Sequence, residues 1–129
     1  MSGKYLLDTN IVIALFANDE MVKENLKKAE EIFVPSIVIG ELFYGAYKSA
    51  HTKENISRID SFANNNTVLG CDNETARLYG EIKSTLSNKG RPIPENDIWI
   101  AAIAMQYKVV LISRDAHFGE IETLKVEVW

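Results

Sequence analysis

Four acidic residues, Asp8, Glu41, Asp97 and Asp115, have settings in which a carboxylate can do chemistry. Asp8 follows the apolar run Tyr5-Leu6-Leu7, and Asp115 follows Val109 to Ile112 after only Ser113 and Arg114. Functional groups of parallel-sheet proteins gather just beyond the carboxyl ends of the strands. Each of these two residues has an equally good plain reading, a cap on the helix that follows. Glu41 is harder to explain structurally. Ile37-Val38-Ile39-Gly40 precede it and Leu42-Phe43-Tyr44 follow it, so its helix is expected to be buried. An ionised Glu is rarely buried without a partner, because desolvating it is costly. No Lys or Arg lies within a helical turn of Glu41. Gly40 and Gly45, each costing roughly 1 kcal/mol inside a helix, suggest that something approaches closely there. Asp97 opens the apolar stretch Ile98 to Met105. The helix macrodipole favours a charge at that position, while Ala101 and Ala104 on the same face predict tight packing below it.

Together the four acids have one economical explanation. Two like charges about 4 Å apart repel by roughly 4 kcal/mol at an effective dielectric near 20. Such a cluster needs protonation or a cation. With oxygen ligands and no thiolate or imidazole in the set, Mg²⁺ or Mn²⁺ is the expected ion. Ions of this kind stabilise the in-line attack of water on a phosphodiester. Two histidines, His51 and His117, do not support a histidine-rich zinc site, and one cysteine excludes an intrachain disulfide. Cys71 reads as a small, partly buried residue. His117 reads as a residue that shapes the loop after Asp115.

The elements that must position these groups alternate. Strands are expected at Lys4 to Leu7, Ile32 to Val34 (stopped by Pro35), Thr67 to Leu69 and Lys108 to Ile112, with an edge strand at Val126 to Val128. Thr9 and Asn10 start a helix through Phe16, which Asn18-Asp19 can close. Further helices are expected from Met21 to Glu31, from a Ser36 cap to about Ala50, and over Thr52 to Asn64. Two more follow, from Asp72 to Leu86 (with Ala76, Tyr79, Ile82 and Leu86 at helical spacing) and from Glu95 to Tyr107. Ser87 to Pro94, with Gly90, Pro92 and Pro94, is the most loop-like stretch. Apolar strands between helices are the signature of a parallel sheet covered on both faces. The fold class is therefore α/β, a three-layer sandwich with a short parallel sheet flanked by helices. Residues 1–129 read as one domain, with 47% hydrophobic and 25% charged residues arguing against disorder. A net charge of −4 counts mildly against a nucleic-acid partner, although a bound cation would offset the acids locally. No signal peptide or membrane span is visible, which makes the cytoplasm the default location.

Four motifs stand in order: Leu6-Leu7-Asp8-Thr9-Asn10; Pro35-Ser36 leading to Gly40-Glu41-Leu42; Asn96-Asp97-Ile98-Trp99-Ile100-Ala101-Ala102; and Ile112-Ser113-Arg114-Asp115-Ala116-His117-Phe118. In order and spacing they resemble the PIN-domain nucleases, and within them the VapC-type toxins of bacterial and archaeal toxin–antitoxin pairs. The resemblance covers essentially the whole chain. It implies that Asp8, Glu41, Asp97 and Asp115 are the catalytic acids, with Asp8, Asp97 and Asp115 holding the metal and Asn10 and Ser113 as supporting polar residues. It further implies an Mg²⁺- or Mn²⁺-dependent endoribonuclease acting on a structured RNA of the tRNA or rRNA class. A homodimer silenced by a cognate antitoxin, whose basic side chain enters the acidic pocket, is part of the same expectation.

RNA binding needs cations near the site. Of Lys48, Lys53, Arg77, Lys83, Lys89, Arg91 and Arg114, the last two stand nearest the motifs. Tyr44, Tyr47, Trp99 and Phe43 could stack on bases, but core packing or a dimer interface explains them as well. Two other functions compete. A phosphatase or phosphoacceptor domain would use Asp8 as nucleophile, but hydrolases of that kind usually carry a second Asp two residues on, where Asn10 stands here, and a lysine near the last acid. A non-catalytic module docking a basic peptide would not need all four acids.

Overall fold

The computed structural model describes residues 3–129. The elements run β1 (Lys4–Leu7), α1 (Thr9–Phe16), α2 (Glu20–Lys28), β2 (Glu31–Pro35), α3 (Ser36–Tyr47), α4 (Thr52–Asn64), β3 (Thr67–Leu69), α5 (Asn73–Asn88), α6 (Glu95–Tyr107), β4 (Val110–Ile112), a 3₁₀ turn (Ala116–Glu120) and β5 (Val126–Glu127). The five strands form one sheet in the order β3-β2-β1-β4-β5, and every pairing is parallel. The chain builds outward from β1 to one edge, then returns to the other side of β1 with β4. The crevice at the carboxyl ends of β1 and β4 is therefore the topological switch point of the sheet. Leu7 pairs with Ile112, which brings Asp8 and Ser113, the next residue on each strand, to this crevice.

The core packs directly beneath that crevice. Leu6, Leu7, Leu111 and Ile112 are fully buried in the sheet, and Ile100 to Ala104 are buried on α6. A helix buried on most sides is one the surrounding elements hold fixed. Ala101 and Ala104 are the small residues that let its inner face pack closely, as their spacing predicts. No helix among the described residues is long and apolar enough to cross a membrane.

Several boundaries differ from the sequence expectation for local reasons. β4 starts at Val110, not Lys108: Lys108 closes α6 in the left-handed region at φ 56°, and the Val109 N–H donates to Ala104 O at 3.1 Å. Asn18, at φ 63°, ends the α1 turn, while Asp19 caps α2 by accepting from the Val22 N–H at 3.1 Å. α2 stops at Lys28 because the N–H groups of Glu30 and Glu31 both donate to Gly3 O, so Glu31 joins β2. Pro35 is the last residue of β2 and precedes α3; Ser36 is the first helical residue and caps nothing. Thr75 rather than Ala76 leads the buried line of α5.

The α3 glycines correct the sequence reading. A Cβ at Gly40 or Gly45 would meet nothing within 4 Å, so no close approach within the chain requires either. The glycine that does need its missing Cβ is Gly3, where one would lie 2.7 Å from Glu30 Cβ. α3 itself is only half-buried, through Val38, Leu42 and Ala46. Cys71 is exposed rather than partly buried.

Candidate active site

Asp8 is the N-cap of α1, 5% exposed. Its Oδ1 accepts from the Thr9 N–H at 2.8 Å and its Oδ2 from the Ser113 hydroxyl at 2.7 Å. The plain cap reading is therefore borne out, and the cap geometry leaves Asp8 at the strand ends where the functional reading needs it. Ser113, 1% exposed, also accepts from the Asp115 N–H at 2.9 Å. One hydroxyl thus ties the acid after β1 to the acid after β4. Asn10 Oδ1 accepts from the Arg114 N–H at 3.2 Å and fixes the same loop from the α1 side. Asp115 caps the 3₁₀ turn through the His117 N–H at 2.9 Å.

Asp97 stands in the first turn of α6 with 13% of its side chain exposed. Burial, then the charges of Asp8 and Asp115, push its carboxyl up to about 6, while His117 pulls the other way. Asp8 is also raised, chiefly by burial; its bonds from Ser113 and Thr9 oppose this, and the charges of Glu41 and Asp115 add to it. Three acids from stretches far apart in the chain therefore feel one another across the crevice.

Glu41 joins them from α3, half-buried. No Lys or Arg lies within a helical turn of it. Its two oxygens are instead served by neutral donors: the Thr9 hydroxyl donates to Oε1 at 2.5 Å and the Asn96 amide to Oε2 at 3.3 Å. From sequence alone Thr9 reads only as a helix-starting residue, and Asn96 has no role of its own. The signal available was that each adjoins a candidate acid.

His117 lies against two of the acids. Its Nδ1 lies 3.0 Å from Asp115 Oδ1 and 3.4 Å from Asp97 Oδ2. Asp97, Asp115 and His117 each offer one ligand atom within 4.8 Å of the others, a grouping that could hold a metal ion. An imidazole therefore stands beside the carboxylates expected from sequence.

Of the expected RNA-facing cations, Arg114 is tied elsewhere: its guanidinium donates to Trp129 O at 2.6 Å and to Asp19 Oδ2 at 3.0 Å. Arg91, its side chain 66% exposed, lies 3.8 Å from Glu120 and lines, with Gly90, Pro92, Ala116 and His117, a cavity of about 360 Å³. Lys83 pairs with Glu95 at 2.9 Å. Trp99 stacks on Tyr79 at 4.0 Å, whereas Tyr44 and Tyr47 are 65% and 68% exposed and so do not pack in the core.

Fold and site define an α/β protein with a carboxylate-lined centre at the carboxyl ends of its parallel strands. The chain belongs to the PIN-domain family, whose model matches residues 5–124. It is 38% identical over 129 residues to Ribonuclease VapC2 of Haemophilus influenzae, covering 98% of each chain. It is 30% identical to the tRNA(fMet)-specific endonuclease VapC of Salmonella typhimurium, again over 98% of both. Among solved structures it is similar to VapBC2 from Rickettsia felis bound to a promoter DNA fragment, with a TM-score of 0.90, 31% identity and 98% of each chain covered.

Proposed function

We propose that this protein is an endoribonuclease, the toxin of a toxin–antitoxin pair, that cleaves a structured RNA of the tRNA or rRNA class. The observation that carries this reading is the convergence of Asp8, Asp97 and Asp115, from three separate stretches, on the β1/β4 crevice, with Ser113 bridging two of them. Relatives along the full length are named as ribonucleases. The donor set fits a divalent cation, with Mg²⁺ or Mn²⁺ favoured by its carboxylate majority. Asp97 and Asp115 would hold it, with Asp8 and His117 beside them. When bound, such an ion neutralises charge on the scissile phosphate and makes the attacking water more acidic. The chain's own part is positioning. Ser113 and the Thr9 N–H fix Asp8, the 3₁₀ turn fixes Asp115, and the buried α6 fixes Asp97. Glu41, at the edge of the cluster, is the group placed to orient or deprotonate a water. Arg91 is the rim cation best placed to meet an RNA phosphate, because its one ion-pair contact is long and exposed.

An antitoxin fits the other side of the site. A groove of about 260 Å³, lined by Ile13, Phe16, Gly45, Arg58 and Ile59 together with Glu41, would seat an apolar segment, and a basic side chain from it would enter the acidic centre. Exposed Tyr44 and Tyr47 offer apolar surface for a second copy. The phosphoacceptor alternative is weaker, since both Asp8 oxygens are already engaged and the carboxylate is buried.

The test is induction in cells followed by mapping of RNA 5′ ends, alongside the purified protein on RNA and on a phosphomonoester. Discrete new ends that disappear with Asp97→Asn and with co-expression of a cognate antitoxin support the proposal. Phosphate release without strand scission would favour the phosphatase instead.

A further inference from the structure

The Glu41 carboxylate needs restraint. It lies near the ionisable Asp8, with which it interacts repulsively, on a helix that is only half-buried, and beside an open groove. Nothing in α3 itself holds it: Gly40 and Gly45 leave open space, and the nearest basic residue in sequence, Lys48, lies over the Tyr44 ring at 4.2 Å. Left alone, a charged side chain in this position would turn toward solvent.

We infer that Thr9 and Asn96 form a neutral latch that holds the Glu41 carboxylate against the acidic cluster, and that both are positioning residues for RNA cleavage. The two donors come from different elements and grip different oxygens, Thr9 at 2.5 Å and Asn96 at 3.3 Å. Thr9 directly follows Asp8 and Asn96 directly precedes Asp97. The spacing among three acids is thereby set by two short pieces of backbone. Thr9 acts twice, since its N–H holds Asp8 Oδ1 while its hydroxyl holds Glu41 Oε1. A lysine or arginine would hold Glu41 more strongly, but it would also neutralise charge that the centre needs to attract a cation. Hydroxyl and amide donors fix geometry and leave the negative field intact.

The latch rests on the reading that Glu41 belongs to the active site, so the experiment is a double-mutant cycle with Glu41→Gln. Thr9→Val keeps shape and removes the hydroxyl; Thr9→Ser keeps the hydroxyl; Asn96→Ala removes an exposed amide. A hydrogen bond to a carboxylate corresponds to roughly tenfold or more in rate when its loss misplaces a reacting group. Thr9→Val and Asn96→Ala should therefore each lower kcat about tenfold. KM and calorimetric Mn²⁺ affinity should move less than about threefold, and Thr9→Ser should restore kcat. In the Glu41→Gln background the same changes should cost little further. Equal losses in both backgrounds, or losses that track a fall in melting temperature, would overturn the latch. Full activity of Thr9→Val and Asn96→Ala beside an impaired Glu41→Gln would overturn it while sparing the site. Full activity of Glu41→Gln would remove both.

Discussion

Replacing Asp97 with Asn should stabilise the metal-free protein at neutral pH. The Asp97 carboxyl titrates near 6 in the fold against 3.8 as its ordinary value, and each pH unit of difference is worth about 1.4 kcal/mol. The folded state holds the proton more tightly, so between about pH 4 and 6 it binds more protons than the unfolded chain, and stability falls as pH rises through that window. Above pH 6 both states are ionised and the full penalty, about 3 kcal/mol at most, is present. Only 13% of the side chain is exposed, so solvent screens little of it. The lost contact to His117 subtracts a little, because that pair is half open to water. In EDTA at pH 7.5, Asp97→Asn should therefore melt roughly 5–10 °C higher than the parent protein. The gap should close near pH 4. Adding Mn²⁺ should raise the parent's melting temperature more than the variant's, since an ion that binds only the native state stabilises it. A variant that melts at or below the parent in EDTA at pH 7.5 would refute the claim that clustered, desolvated charge at Asp97 is held at a cost to the fold.

Three further outcomes follow from the same geometry. Cleavage of RNA by the purified protein should be lost in EDTA, return with Mg²⁺ or Mn²⁺, and fall at least about a hundredfold in Asp8→Asn and Asp115→Asn; a gel-based assay with each metal checks this. Ser113→Ala should cost roughly 1–3 kcal/mol in denaturant unfolding, because it leaves a buried Asp8 oxygen and the Asp115 N–H without their partner. Arg91→Ala should weaken RNA binding and flatten its salt dependence by about one phosphate contact with no change in melting temperature, whereas Arg114→Ala should lower the melting temperature through its bonds to Trp129 O and Asp19.

Strand and helix order was legible because it depends on short-range pattern. The parallel arrangement was legible because strands like Leu6-Leu7 and Leu111-Ile112 are apolar on both faces. β3 shows where that rule weakens: Thr67 and Val68 are exposed on an edge strand, and only its flanking helices and turn residues marked it. Element ends shifted where one residue took a cap role that propensity does not reveal, as at Lys108 and Asn18. Arg114 was nominated for RNA because it stands inside a motif. Its side chain is instead used to tie the C-terminal strand region to the α2 cap, a contact spanning 95 residues to Asp19 that no local pattern encodes.

Glu41 shows how far charge reasoning reaches. Its apolar neighbours correctly singled it out as a carboxylate that needs a partner. What that partner is could not be read from its neighbours, because a carboxylate can be satisfied by hydrogen bonds from neutral donors as well as by a charge. Those donors lie 32 and 55 residues away in sequence, and only the meeting of α1, α3 and α6 makes them neighbours. The distinction bears on the chemistry. A lysine at this point would have made the centre easier to fold and less able to draw in a divalent ion. Neutral donors resolve the local packing problem of one acid without neutralising the collective charge of four, and the proposed cation-dependent chemistry would need both.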